Sequence, residues 1–466
     1  MDSLPKSFNH NKRLKEEFVS NLSGSSILEI AALLTNVTIL ILLRHSFSSN
    51  PFLYASLKKS DNEIVRSKDW RAYMATMAVD FLVIVLPVVF FLTVLADWTY
   101  ICTILLTMLL FFSIAAKRSG SASPSLEGGI HSLKTIISSY RVSVMIGTCL
   151  CILAVDFRIF PRKYAKTETY GTSLMDLGVG SFVLVNSLVS QQARNVSAMN
   201  WRTALQSTSP LIILGFARLV STAGVDYQVH VAEYGVHWNF FFTLAAISIL
   251  TSTINVPAQY SGILGSIVLV GYQICLMHGL NLYLLSNERE IDIISQNKEG
   301  IFSIFGYWGM YLLGVQLGNY LFFGNGKHSS TMLRSNRWAR IRVWVLALLF
   351  WIITLLLDRY VERVSRRMCN LTYVSMVLAL NLQVLSVLML SDYIPGSITS
   401  TLEEAFNRNL LGAFLLANLL TGLVNLSVDT LSASSLSALS ILVAYASILS
   451  TVVGIADFCG IRLKFW

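Results

Sequence analysis

What most constrains this chain is a succession of apolar segments long enough to cross a membrane. A bilayer core about 30 Å thick needs roughly 20 apolar helical residues. Segments of that kind recur near 27–46, 75–97, 99–116, 140–156, 172–192, 209–224, 237–256, 261–283, 301–323, 340–358, 371–391, 406–427 and 435–457, the third and sixth being short. The fold class that follows is an all-α polytopic membrane protein of about thirteen transmembrane helices with no soluble domain. The longest gaps, 47–74 and 117–139, are too short for an independent domain. The expected division is a lead over 1–26, one transmembrane bundle over 27–457 and a tail over 458–466. No cleavable signal peptide is expected: the first apolar run follows a long charged lead and ends at Arg44.

Composition narrows the class further. Of 466 residues, 54% are hydrophobic and 13% charged, where soluble domains carry roughly 25% charged residues. This excludes an ordinary soluble enzyme, a disordered regulator and a secreted disulfide scaffold. The net charge of +9 is spread between apolar runs, as loop charges are, so no nucleic-acid partner is expected. The six cysteines form no CxxC and read as small buried thiols. An odd number of spans places the termini on opposite sides. Lys and Arg are more numerous on the side opposite the N-terminus, which favours an N-terminus outside the cytosol.

Four connections share one face by loop parity and have unusual composition. They carry Asp156 to Lys166, Asp226 to Asn239, Gln296 to Gly300 and Ser365 to Asn370. Acids, bases, histidines and amides are therefore expected to converge on one cavity. Each group has a plainer alternative. Asp156, at a span end, could sit at headgroup level. The basic run Arg158, Arg162, Lys163, Lys166 could snorkel to lipid phosphates or neutralise a phosphorylated substrate. Asp80 and Asp176 lie within spans, and either could pair with Arg218. His230 and His237 with Glu233 could hold zinc, but no HExxH spacing is present, and hydrogen bonding to a polar substrate fits better; no metal and no cofactor are expected. Gly178, Gly180 and Ser181 read as helix-packing positions.

The stretch Ala154-Val-Asp156-Phe-Arg-Ile-Phe160-Pro161-Arg-Lys-Tyr-Ala-Lys166, followed by Glu168 and Gly171 to Phe182, closely resembles the inositol acyltransferase of GPI-anchor biosynthesis, the PIG-W family. Further matching strings are Glu16 to Gly24, His230 to Phe241 (with Glu233, His237, Trp238 and Asn239), Asn297 to Ser303, Ser365-Arg366-Arg367, Leu416 to Asn418, and Thr421 to Asn425. They span essentially the whole chain, in order. The resemblance implies a multi-pass enzyme of the endoplasmic-reticulum membrane, with a lumenal N-terminus and a cytosolic C-terminal tail. It would move a fatty acyl chain, typically palmitoyl, from acyl-CoA as co-substrate to the 2-hydroxyl of inositol in glucosaminyl-phosphatidylinositol. It also implies that Asp156 and Lys166 are the catalytic pair.

These residue types suit that chemistry. A sugar hydroxyl needs a base within hydrogen-bond reach as it attacks a thioester. Asp156, with a pKa raised by desolvation, is the expected base. Lys166 is the expected electrostatic partner. A turn, expected at Pro161, must bring the two together, because ten residues can span about 33 Å extended. Direct transfer is expected, since no cysteine or activated serine stands beside them. The helices would form an acyl tunnel with a basic mouth for CoA. Arg162, Asp176, Arg218, His230, Glu233, His237, Trp238, Asn239, Asn297, Arg366, Arg367, Asn418 and Asn425 are the expected substrate-binding residues. A transporter or flippase for a lipid-linked saccharide, using Asp80, Asp176 and Arg218, is the alternative; a non-catalytic scaffold is a third reading.

Overall fold

The computed structural model describes residues 17–18, 20–47, 70–120, 129–195, 201–223, 231–286, 288–323, 332–394 and 399–462. Its long helices are α1 (Ile27–Phe47), α2 (Trp70–Phe91), α3 (Thr99–Gly120), α4 (Gly129–Ala154), α5 (Leu174–Leu188), α6 (Trp201–Ala223), α7 (Phe240–Ile254), α8 (Ala258–Leu285), α9 (Lys298–Phe323), α10 (Met332–Tyr360), α11 (Leu371–Tyr393), α12 (Leu410–Ser427) and α13 (Ser435–Phe458). No strand occurs among the described residues.

Ten of these helices are long and apolar enough to cross a membrane. The apolar parts of α5, α6 and α7, namely 174–188, 208–221 and 240–254, are shorter. Fifteen residues rise only about 22 Å. The fifth and seventh helices are thus short, at 15 residues each, and the sixth, a helix of 23 residues, has only a short apolar part; the third segment, expected to be short, forms a helix of 22 residues. Asp156, Thr167, Ser173, Asn297 and Arg366 are all buried although they lie in connections or at helix starts.

The gap expected over 117–139 is largely helical, since α3 continues to Gly120 and α4 begins at Gly129. Apolarity ends at the membrane surface, but a helix need not. A short amphipathic helix over Thr401–Arg408, opened by a Ser400–Glu403 capping box, likewise escaped a reading tuned to long apolar runs.

Helix α11 is the hub. Its most apolar stretch is 83% buried, against 11% for α3 and 17% for α10 and α12. Polar side chains tie it to its neighbours, where the hydrophobic effect cannot. Tyr140 of α4 donates to Asn381 at 2.7 Å. Gln383 accepts from Trp351 of α10 and donates to Thr35 of α1. Gly180 abuts Val377, where an added Cβ would stand 2.5 Å from a methyl carbon, so it is a close-packing position. Gly178 is not; the nearest atom to such a Cβ is 3.7 Å away.

The described end of the lead, residues 20–26, also docks. The amide of Ser25 donates to the Thr172 carbonyl at 2.7 Å, and that of Asn21 to the Glu168 carboxylate at 3.0 Å. Three connections that matter below are fixed by caps on the helices that follow: Ser173 on α5, Asn239 on α7 and Asn370 on α11.

Candidate active site

A cavity of about 510 Å³ runs through the bundle between α1, α4, α5, α7, α11 and α12, within the range of small-molecule sites. Along α4 it is lined by Arg141, Val144, Thr148, Cys151, Ile152 and Val155, and it reaches Asp156. Arg141 to Asp156 is roughly 22 Å at 1.5 Å per residue. Leu33, Val37, Phe182, Phe241, Leu244 and Phe414 make the middle apolar. One end holds Asp156, Lys166, Glu168, Arg218, Glu233 and Arg366; the other holds Arg141, Asn407 and Arg408.

Asp156 sits just beyond α4, where the amides of Asp156 and Phe157 bond back to the carbonyls of Leu153 and Ala154. The return of the chain is held by Arg162. Its Nη2 donates to the carbonyls of Val155, Phe157 and Phe160 at 2.9, 3.1 and 3.0 Å, and its guanidinium lies 4.0 Å from the Phe18 ring. Desolvation lowers its pKa to about 10, with Asp156 opposing. A single turn of 3-10 helix follows Pro161, and the chain comes back to the cavity at Lys166. Arg162 therefore shapes the Asp156 turn and is not a cavity-lining group. Of the basic run, Lys163 pairs with Glu29 and Asp97, Arg158 is exposed, and Lys166 lines the cavity.

Asp156 is 7% exposed and accepts from Asn425 Nδ2 at 2.7 Å. Asn425 also donates to Thr421 O, so it orients Asp156 rather than lining the cavity. Lys166 keeps about a third of its side chain exposed (34%) and pairs with Glu233 at 2.7 Å. Arg366 joins the same carboxylate at 3.3 Å and meets Asp176 at 2.6 Å. Burial opposes the charge on Glu233, but Lys166 and Arg366 outweigh it and hold its pKa at about 2. Burial lowers the pKa of Lys166, with Glu233 opposing.

The expected ion pairs of Arg218 are corrected: Asp176 pairs with Arg366, and Asp80 with Arg44. Arg218 and Asn418 line the cavity. Several other expected contacts do not reach it. Asn297 is spent on the His237 amide and the Ile293 carbonyl. Asn239 caps α7 and donates to Gly215 O. Trp238 covers Gly300 and donates to Thr243. His237 is exposed outside the cavity. Arg367 turns the other way from Arg366, to Leu284 O and to Glu299. Glu299 is fully buried and shared with Arg289 at 2.7 Å, none of this group lining the cavity. His230 lies outside the described residues. The cavity also uses Arg141, Glu168, Tyr234, Asn407 and Arg408, which were not singled out.

The GWT1 family model matches residues 11–456. The chain belongs to the GWT1 family. Among its GWT1-family relatives, an uncharacterized protein of Arabidopsis thaliana is 58% identical over 436 residues, covering 92% of this chain and 98% of the relative. The phosphatidylinositol-glycan biosynthesis class W protein of Dictyostelium discoideum is 38% identical over 379 residues, covering 72% and 76%. The mouse protein named glucosaminyl-phosphatidylinositol-acyltransferase is 32% identical over 519 residues, covering 98% and 99%.

Proposed function

We propose that this chain is an O-acyltransferase that moves a fatty acyl chain from acyl-CoA to the inositol 2-hydroxyl of glucosaminyl-phosphatidylinositol, at the lumenal side of the endoplasmic-reticulum membrane. The observation that carries the reading is the cavity: an apolar bore that accommodates an acyl chain, with a carboxylate and an ammonium at one end. Family membership and the names of the Dictyostelium and mouse relatives support it.

In this reading Asp156 takes the proton of the inositol hydroxyl as its oxygen attacks the thioester carbonyl. The C–O bond forms, the C–S bond breaks, and the proton passes to the departing CoA thiolate. Asn425 holds the Asp156 carboxylate in place. Lys166 stabilises the negative charge developing on the carbonyl oxygen, inside a site largely shielded from water.

The test is to incubate purified protein with labelled acyl-CoA and glucosaminyl-phosphatidylinositol. A base-labile third acyl chain on the acceptor is the expected product. Its absence from folded protein, with CoA not released, would overturn the reading.

A further inference from the structure

The charged end of the cavity contains a circuit of contacts that closes on itself. The Lys166 ammonium donates to Glu233 Oε1 at 2.7 Å. The same oxygen accepts from Arg366 Nη1 at 3.3 Å. Arg366 Nε donates to Asp176 Oδ1 at 2.6 Å. Asp176 Oδ2 then accepts from the amide and the hydroxyl of Thr167, at 3.0 and 2.7 Å, and Thr167 directly follows Lys166 in the chain. Asp176 thus holds the backbone beside Lys166, Glu233 holds its tip, and Arg366 links the two carboxylates. The four charges alternate and sum to zero, so the set can be buried without a net charge.

Glu233 is itself pinned from behind. Just after it the chain meets the start of α9, with the Val236 amide on Gln296 O at 3.0 Å and the His237 amide on Asn297 Oδ1 at 2.8 Å. Gly235 has φ +112°, and an added Cβ there would stand 2.5 Å from the Asn297 Cα. That conformation and that approach both require glycine. On the far side, Ser365 Oγ donates to Thr169 O at 2.6 Å, which anchors the segment carrying Arg366.

We propose that Glu233 is a positioning residue for Lys166, fixing where its ammonium stands in the cavity and keeping it charged. The inference rests on the acyltransferase reading, in which Lys166 stands beside the reacting atoms. Among the described residues, the charged groups that act on Lys166 are Glu233 from the short helix Val231–Tyr234, Arg366 from the connection after α10, and Arg218 from α6. Enclosure and the two arginines push the ammonium towards losing its proton; Glu233 is the carboxylate that opposes them. A neutral amine would give the developing oxyanion far less stabilisation.

The experiment uses the purified full chain, with Glu233→Gln and Glu233→Asp as variants. Two quantities are followed against pH: acyl transfer from labelled palmitoyl-CoA, and modification of Lys166 by an amine-acylating reagent, read by mass spectrometry. In Glu233→Gln, kcat falls by about tenfold or more, KM changes less, and both the alkaline limb of kcat and the half-modification pH move to lower pH. Glu233→Asp keeps the charge but withdraws it by one methylene, so kcat falls while both pH midpoints stay near wild type. Wild-type kcat in Glu233→Gln, or a fall in kcat with neither midpoint moved, overturns the proposal. Should Glu233→Gln fail to fold, Glu233→Asp decides: wild-type kcat there overturns it too. If the wild type transfers no acyl group, the acyltransferase reading has failed, while the modification midpoints still report whether Glu233 holds Lys166.

Discussion

Two carboxylates in this molecule are each shared by two cations, and they differ in what they face. Glu233 stands between Lys166 and Arg366 at the wall of the cavity. Glu299 stands between Arg289 and Arg367, fully buried and away from it. The neighbours Arg366 and Arg367 supply one arm to each. In composition the clusters are close to identical. What separates them is that the first includes a lysine, a third exposed to the cavity, while the second consists of guanidiniums locked to carbonyls and carboxylate. The first can offer a charge to a ligand, and the second fastens the chain around α9. A charge cluster therefore reveals its role by what its free surface meets, not by its residue types.

The comparison breaks most sharply if the cavity-facing groups prove dispensable. Asp156→Asn should slow acyl transfer by roughly 100- to 10,000-fold while leaving thermal unfolding close to wild type, because an amide is cheaper to bury than a carboxylate. Near-normal turnover would remove the general-base step. Lys166→Arg retains charge but not its point of application, and a loss of roughly 100-fold in kcat is expected; full activity would show that any cation at this place suffices.

The sealed cluster should behave in the opposite way. Arg367→Gln leaves Glu299 with Arg289 but short of one buried partner, at a cost of roughly 1.5–3 kcal/mol, read as a lower unfolding temperature in detergent. The fraction that remains folded should turn over normally, with an unchanged alkaline limb. A shifted limb would mean that the two clusters are coupled. Acid adds a finer distinction. Glu233, with its pKa held at about 2 against an ordinary 4.5, contributes stability that is present above about 4.5 and lost as pH falls towards 2. Glu233→Gln should flatten that part of the unfolding-temperature profile. The smallest effect belongs to His237→Ala, at an exposed position outside the cavity: stability within about 0.5 kcal/mol and turnover close to wild type. A large loss would return His237 to the binding residues.

The bundle was legible because lipid leaves one signal, a long apolar run, and every expected segment holds a helix. What lay outside that signal was missed: the polar start of α4 before residue 140, and the amphipathic Thr401–Arg408. At the site, loop parity brought together the connections bearing Asp156, Lys166, Glu233 and Arg366. Partners were not legible. Asp176 meets Arg366 across 190 residues, and no local spacing encodes that choice over Arg218. Nor could residue type tell an amide facing a ligand from one holding a loop, and so Asn297, Asn239 and Asn425 were all read as binding groups.

The walls of the bore carry a last consequence. Gly147 and Gly178 both line it, and an added Cβ would meet nothing within 4 Å at the first and only Thr148 Oγ1, at 3.7 Å, at the second. Neither is held to glycine by close packing, so each is an empty setting on a gauge. A methyl or isopropyl group there would narrow the calibre of the chamber without touching any charged residue. The length and thickness of chain admitted could then drift between descendants of one ancestor through single-base changes, while the chemistry at the end of the bore stayed the same.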